Sequence, residues 1–279
     1  MTSLQVRKLS GTVLLHVLLA IGAMISLFPF YWMFISASKT TSQIFSTPPS
    51  LLPSVHLVSN FNALVDRVAF LRVIWNSFFI AIVFCVVTVF LCSLAGYTFA
   101  KFRFKGRTVF FSMIMLTLMV PYQATLIPLF RLMVWLGWLS TYQAVILPTA
   151  ANVFGIFLMR QNMLGVPDSL LEAARIDGAG EFSIFARIVM PTMVPAVSAL
   201  TIYMFMFQWN NFMWPLIILS RDTMKTIPVA LSGMIADGQV INYGAVLTGT
   251  SLSTLPIIIL FLFLQRQFIS GILSGAVKE

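Results

Sequence analysis

PDSLLEAARIDGAGEFSIFARIVMP, Pro167 to Pro191, is the stretch from which the rest of this chain is read. It is a hydrophilic tract late in an otherwise oily sequence. It holds four of the eight acidic residues, Asp168, Glu172, Asp177 and Glu181, with Arg175 and Arg187 among them. Apolar runs flank it on both sides, so a charged, helix-prone insert between two membrane spans faces water and meets a soluble partner. Ser169-Leu170-Leu171-Glu172 matches a capping box, with Ser169 as N-cap and Glu172 reaching back; Asp168 is a rival N-cap. Leu171, Ala174 and Arg175 share one face, and Glu172 can pair with Arg175 at i,i+3. Gly178 suits a residue with positive φ at a helix C-terminus. The tract therefore reads as a short helix, a glycine break, and a second helix that starts near Glu181 and meets Pro191.

Outward from this tract, the 279 residues are 59% hydrophobic and 9% charged, with a mean hydropathy of +0.96. So little charge excludes an ordinary soluble domain and points to an all-α, polytopic membrane protein. The net charge of +9 would suggest nucleic acid in a soluble chain. Here the basic residues lie in short loops between apolar runs, so they read as an orientation signal, and no nucleic-acid partner is implied.

Six spans are expected, at about 11–38, 73–100, 108–130, 142–159, 192–219 and 243–264. The first is longer than a signal-peptide core and reads as uncleaved, kinked at Pro29, with His16 as a packed neutral imidazole or a proton-active group. The proline-rich stretch from Lys39 to Phe70 is an outer loop with a short helix around Phe61–Val68. Cys85 and Cys92 are seven residues apart on one helix, about 10 Å of rise, too far for a disulfide. Lys101, Arg103, Lys105 and Arg107 form the densest basic cluster, in a short loop that is therefore cytoplasmic. Pro121 and Pro128 interrupt the third span, and Pro148 and Asn152 lie in the fourth. An outer loop holds Arg221, Asp222, Lys225 and Asp237, while Arg266 and Lys278 close the cytoplasmic end. Both termini are then inside, and 1–279 is one transmembrane domain with a cytoplasmic loop at 167–191.

Glu172-Ala173-Ala174, then Gly178, Ile188 and Met190-Pro191 at fixed spacing, resembles the EAA signature of bacterial ABC importer permease subunits. A lone EAA would mean nothing in a helix-rich protein; the full spacing between two membrane spans is hard to obtain by chance. EAARIDGA is similar to the carbohydrate-uptake, maltose-type branch. Met190 stands where the family usually has Leu, a nearly isosteric change. Trp209-Asn210-Asn211-Phe212-Met213-Trp214-Pro215-Leu216 is similar to the family's fifth-span pattern, with Asn211 where an acid is common. Ile227-Pro228-Val229 and the tail from Leu264-Gln265-Arg266 to Gly275-Ala276-Val277-Lys278 also resemble family segments, in the right order.

The resemblance implies a permease with a second, related permease, two ABC ATPase subunits and an extracytoplasmic sugar-binding protein as partners, in the bacterial inner membrane among its lipids. Glu172, Ala173, Ala174, Asp177, Gly178, Ile188 and Pro191 become the ATPase-coupling residues, with the helix Leu170–Asp177 docking in the ATPase. No GxxxxGK[ST] loop, metal-ligand spacing or nucleophile–base pattern is present, so no catalytic residue, metal or cofactor is assigned, and energy must come from a partner. Gln208, Trp209, Asn210 and Asn211 are substrate-path candidates, with Gln123, Asn152, Tyr122 and Trp214 nearby. Amides can exchange hydrogen bonds with a neutral sugar, but they also bridge helices in membrane bundles, and both readings are open for them. The absence of basic residues from the spans argues against a strongly anionic substrate. A glycerol phosphate ester or polyol is the alternative cargo. An ion-coupled carrier is the alternative of another class, and it would call for acids within the spans, which carry none.

Overall fold

The computed structural model describes residues 3–236 and 241–276, with side chains over 12–235 and 241–265. Asp237, Val277 and Lys278, placed above in an outer loop and a cytoplasmic tail, lie outside the described residues. All regular structure among the described residues is helical. In order these are α1 (Ser3–Ser36), α2 (Thr41–Ile44), α3 (Leu57–Arg67), α4 (Phe70–Lys101), α5 (Arg107–Leu116), α6 (Tyr122–Trp135), α7 (Tyr142–Ile146) and α8 (Val153–Met163). There follow α9 (Asp168–Ile176), α10 (Glu181–Ile184), α11 (Met190–Thr192), α12 (Val194–Trp209), α13 (Met213–Ile218), α14 (Ile227–Ala236) and α15 (Tyr243–Ala276).

Three stretches are long and apolar enough to cross a membrane as single helices, Thr12–Ser36, Phe70–Lys101 and Tyr243–Gln265. The expected third, fourth and fifth spans are not single helices. Residues Arg107–Met119 and Tyr122–Trp135 meet at 101°, Tyr142–Thr149 and Val153–Met163 at 47°, and Glu181–Thr192 and Val194–Trp209 at 84°. The count is six if each bent pair is one span. Each break has a local cause. Pro121 forces Val120 to an extended ψ of 118°, whereas Pro128 is accommodated inside α6. Asn152 leaves the helix with ψ 123° and caps α8, its Oδ1 accepting from the Gly155 amide at 3.0 Å. Pro191 cannot donate to the Arg187 carbonyl, and the turn before it widens to a π-turn over Phe185–Val189. Pro195 then sits in the first turn of α12, where its missing N–H is tolerated.

The chain divides into two compact units, one drawn from Met1–Val68 and Leu231–Thr254, the other from Ala69–Ala230 and Leu255–Glu279. In the first, the C-terminal end of α1 is held by polar contacts. Asn60 Nδ2 donates to the carbonyls of Ala37 (2.8 Å) and Lys39 (2.9 Å), and Thr248 Oγ1 to that of Ala37 (3.1 Å). Lys39 is fully buried, its ammonium donating to the Ser50 carbonyl and lying 4.8 Å from the Trp32 ring centroid. Residues 12–31 of α1 are exposed, and His16 among them is exposed rather than packed, with Nδ1 2.7 Å from the Thr12 carbonyl.

In the second unit α4 is the centre, packed against α8 and α12. The approach to α8 depends on small residues: a Cβ on Gly155 would lie 2.7 Å from Cys92 Sγ. Cys85 and Cys92 are both free and buried, and their thiols donate to the carbonyls of Thr201 (3.4 Å) and Asn152 (3.3 Å). Phe84 and Phe207 stack between α4 and α12 at 6.0 Å.

Candidate functional site

The tract at 167–191 folds as a short amphipathic helix held at both ends to α4. Pro167, with φ −62° and ψ 132°, stands at the N-cap, so α9 begins at Asp168 and the capping box at Ser169 does not form. Ser169 falls inside the first turn, where its hydroxyl cannot reach the N3 amide as a cap would. Asp168 does not cap either, because Lys101 claims its carboxylate: Nζ to Oδ1 is 2.7 Å. The same ammonium donates to the Val166 carbonyl, and the Lys101 side chain is only 4% exposed against 64% for Asp168. The Lys101 hydrogen bond, then its charge, holds the Asp168 carboxyl below its ordinary range.

The expected Glu172–Arg175 pair does not form. Arg175 reaches across the glycine turn instead, Nε donating to Glu181 Oε1 at 2.7 Å and Nη2 to Oε2 at 3.4 Å. Tyr97 of α4 donates its hydroxyl to Glu181 Oε2 at 3.2 Å. A guanidinium fork gains two bonds on a carboxylate already oriented by Tyr97, which a flexible Glu172 one turn away does not offer. Arg175's hydrogen bond lowers the Glu181 carboxyl pKa.

Between these ties α9 ends as its sequence predicts. Gly178 has φ +81°, the Ala179 amide donates to the Ala174 carbonyl (3.0 Å), and the Gly178 amide to that of Arg175 (3.0 Å), a Schellman closure. Leu171 and Ala174 are buried, while Glu172, Ala173 and Asp177 are exposed. Ile176 presents 86% of its surface. Ile188 is half-buried in the π-turn, and Pro191 is exposed at its end. The outer face of α9 thus combines exposed acid with exposed apolar surface. Sequence reading missed Tyr97, Lys101 and Ile176. The i,i+4 spacing of Tyr97 and Lys101 at the end of an apolar run was the available signal.

The other candidates are divided by the structure. Asn210 and Asn211 do not lie along a continuous span. Asn210 is the C-cap of α12, with φ −88° and ψ 0°, and the chain opens there before α13. Short amides compete with helix backbone, and Pro215 cannot bond back to the Asn211 carbonyl. Asn210 is exposed and Asn211 half-buried at this break, whereas Gln208 and Trp209 are buried. Trp209 packs on Phe78 (4.9 Å, edge-on) and Phe205 (5.3 Å, stacked). Both amide atoms of buried Gln208 are without a hydrogen-bond partner among the described residues. Trp214 is buried, with Nε1 donating to the Ala144 carbonyl at 2.8 Å. Gln123 and Tyr122 are exposed, and the Asn152 amide oxygen caps its own helix rather than bridging to another.

The chain is 41% identical over 278 residues to the lactose transport system permease protein LacG of Rhizobium radiobacter, covering 100% of each. It is 37% identical over 270 residues to the arabinooligosaccharides transport system permease protein AraQ of Halalkalibacterium halodurans, covering 94% of this chain and 96% of the relative. The crystal structure of a bacterial ABC transporter involved in the import of the acidic polysaccharide alginate contains a chain that superposes with a TM-score of 0.82 at 25% identity, over 96% of this chain and 99% of that one. Residues 89–274 match the model of one membrane-transport family, and the chain belongs to it: the binding-protein-dependent transport system inner membrane components.

Proposed function

We propose that this chain is the permease subunit of an ATP-driven importer that translocates a sugar or oligosaccharide delivered by an extracytoplasmic binding protein. The relatives named for lactose and arabinooligosaccharide transport support the cargo class. The observation that carries the coupling role is α9 itself, a short helix tied to α4 directly at Asp168 and, through Arg175 and Glu181, at Tyr97, with Ile176 and Glu172 outward. In this reading it docks in an ABC ATPase, with Glu172, Ala173, Ala174, Asp177, Gly178, Ile188 and Pro191 forming the coupling tract. ATP hydrolysis belongs to two such ATPase subunits, not to this chain, and a second permease completes the pore.

Residues 1–279 form one permease domain that crosses the inner membrane six times with both termini in the cytoplasm, the fifth crossing beginning after the coupling tract at about Thr192. Asn210 and Asn211, at the opening after α12, face the path, and Gln208 offers an unpartnered amide behind them. Closure of the ATPase dimer moves α9 and exposes the path alternately to each side.

The test is co-purification and uptake. Solubilised chain should retain an ATPase and a second permease, and vesicles holding the complex should accumulate labelled sugar only with ATP and the co-purified binding protein. Uptake driven by an ion gradient without ATP would overturn the proposal.

A further inference from the structure

The helix α4 is anchored at both ends, and its anchors lie one bilayer apart. At one end Asn76 and Ser77 are buried. Asn76 Nδ2 donates to the carbonyls of Thr223 (2.9 Å) and Lys225 (3.1 Å), and its Oδ1 accepts from the Tyr142 hydroxyl (2.9 Å). Ser77 Oγ accepts from the Ile227 amide at 2.8 Å. These bonds fix the segment between α13 and α14 to the first turns of α4. At the other end Tyr97 holds Glu181, and with it Arg175, while Lys101 holds Asp168 and the Val166 carbonyl. Residues 76 and 97 are 21 apart, about 32 Å along a helix and close to the thickness of the hydrocarbon core. Of the three continuous membrane-length helices, α1 and α15 contain Pro29 and Pro256, whereas α4 contains no proline. Proline is the commonest cause of a helix hinge, so α4 is the helix best built to move as a rod.

We propose that α4 is the strut that carries the binding-protein signal to the ATPase, with Tyr97 and Lys101 as the positioning residues that couple α9 to it and Asn76 and Ser77 as its outer anchor. This rests on α9 being the ATPase-docking helix. Two separated ties at the inner end make α9 follow α4 in tilt as well as translation, which one tie would not do.

The experiment uses the assembled importer in nanodiscs, with this chain carrying Tyr97→Phe, Lys101→Met, both together, or Tyr142→Phe at the outer anchor. The readout is the ratio of ATP hydrolysis with the binding protein, preincubated with a lactose and arabinooligosaccharide mixture, to hydrolysis without it. ATPase retention on an affinity resin is measured alongside. With retention normal, the ratio should fall about threefold in each single variant and about tenfold in the double variant, the range expected for coupling residues outside a binding site. A wild-type ratio in the double variant would overturn the proposal. So would loss of ATPase retention by Tyr97→Phe, because the contact would then serve docking rather than transmission. Should the double variant fail to assemble, Tyr97→Phe alone decides on the same ratio. Ile176→Asp separates the two levels: normal retention with that variant brings down the docking reading and the proposal with it. A wild-type ratio in the double variant with Ile176→Asp defective brings down the proposal alone.

Discussion

Gly96 of α4 and Met159 of α8 approach so closely that a Cβ on the glycine would lie 2.7 Å from the Met159 Cβ and 2.8 Å from the Arg160 amide nitrogen. Neither obstacle is the far end of a flexible side chain, so Gly96→Ala must push the two helices apart. The expected loss is about 1–3 kcal/mol, the usual range for overpacking, read as a lower thermal midpoint of the purified protein. Gly22→Ala is the control, since a Cβ there meets nothing within 4 Å. An unchanged midpoint for Gly96→Ala would show that α4 and α8 have room to separate.

Gly178 behaves differently. A Cβ there meets nothing within 4 Å in this chain, and the strain lies in its φ of +81°. A branched residue in that conformation loses roughly 1–2 kcal/mol. Gly178→Val should leave the spans inserted, loosen the Schellman closure and reduce ATPase retention, while Gly178→Asn, which tolerates the left-handed region, should be milder. Pull-down of the ATPase with each variant is the check; equal retention by valine, asparagine and wild type would remove the conformational argument.

Glu172→Ala separates helix stability from partner contact. Because Glu172 is exposed and no side-chain cap forms at the start of α9, its removal should change the stability of the helix by less than about 0.5 kcal/mol. Hydrogen exchange of the α9 amides should therefore be unchanged, and any fall in ATPase retention reports a contact across the interface. Faster exchange throughout α9 would mean that Glu172 stabilises the helix after all.

The loop charges set a topology test. Lys105→Cys, in the basic loop, should be shielded from an impermeant thiol reagent in intact cells, and Asp222→Cys should label. The reverse pattern would sink the proposed orientation.

The tie between Lys101 and Asp168 has a pH signature. The Asp168 carboxyl is held below the ordinary aspartate range, first by the hydrogen bond from Lys101. A depressed carboxylate adds stability above its unfolded pKa and loses it as pH falls through the folded one. The tie should hold from neutral pH down to the ordinary carboxylate range and fail only below it. Carboxyl-carbon NMR of labelled aspartate should show Asp168 titrating late, and Lys101→Met should return it to the ordinary value. An ordinary titration in the wild-type chain would mean the tie does not form.

Much of this was legible in the residues. Pro121, unlike Pro128, marked a real break, whereas the break at Asn152 fell inside a span read as continuous; the run from Val73 to Ala100 became α4 within a few residues, since local sterics and continuous apolarity act over short distances. Gly178 was placed at positive φ for the same local reason. The angles of the breaks were not legible. A proline ends a helix, but packing decides whether the next helix leaves at 101° or 84°. Asn210 and Asn211 read as mid-span because a hydropathy window counts residues, whereas the helix ends where amides and Pro215 open the backbone.

The sequence by itself determined that the chain is helical and membrane-embedded, and that one charged, glycine-terminated helix interrupts it, because charge, proline and glycine act on the backbone within a turn of themselves. Which carboxylate each cation would hold was decided only by the tertiary structure. Lys101 meets Asp168 across 67 residues and Tyr97 meets Glu181 across 84. Those partners outcompete the nearer Ser169 cap and Glu172 pair because α4 brings a buried ammonium and an oriented hydroxyl to them, and an ion pair answers to distance in space, not in sequence.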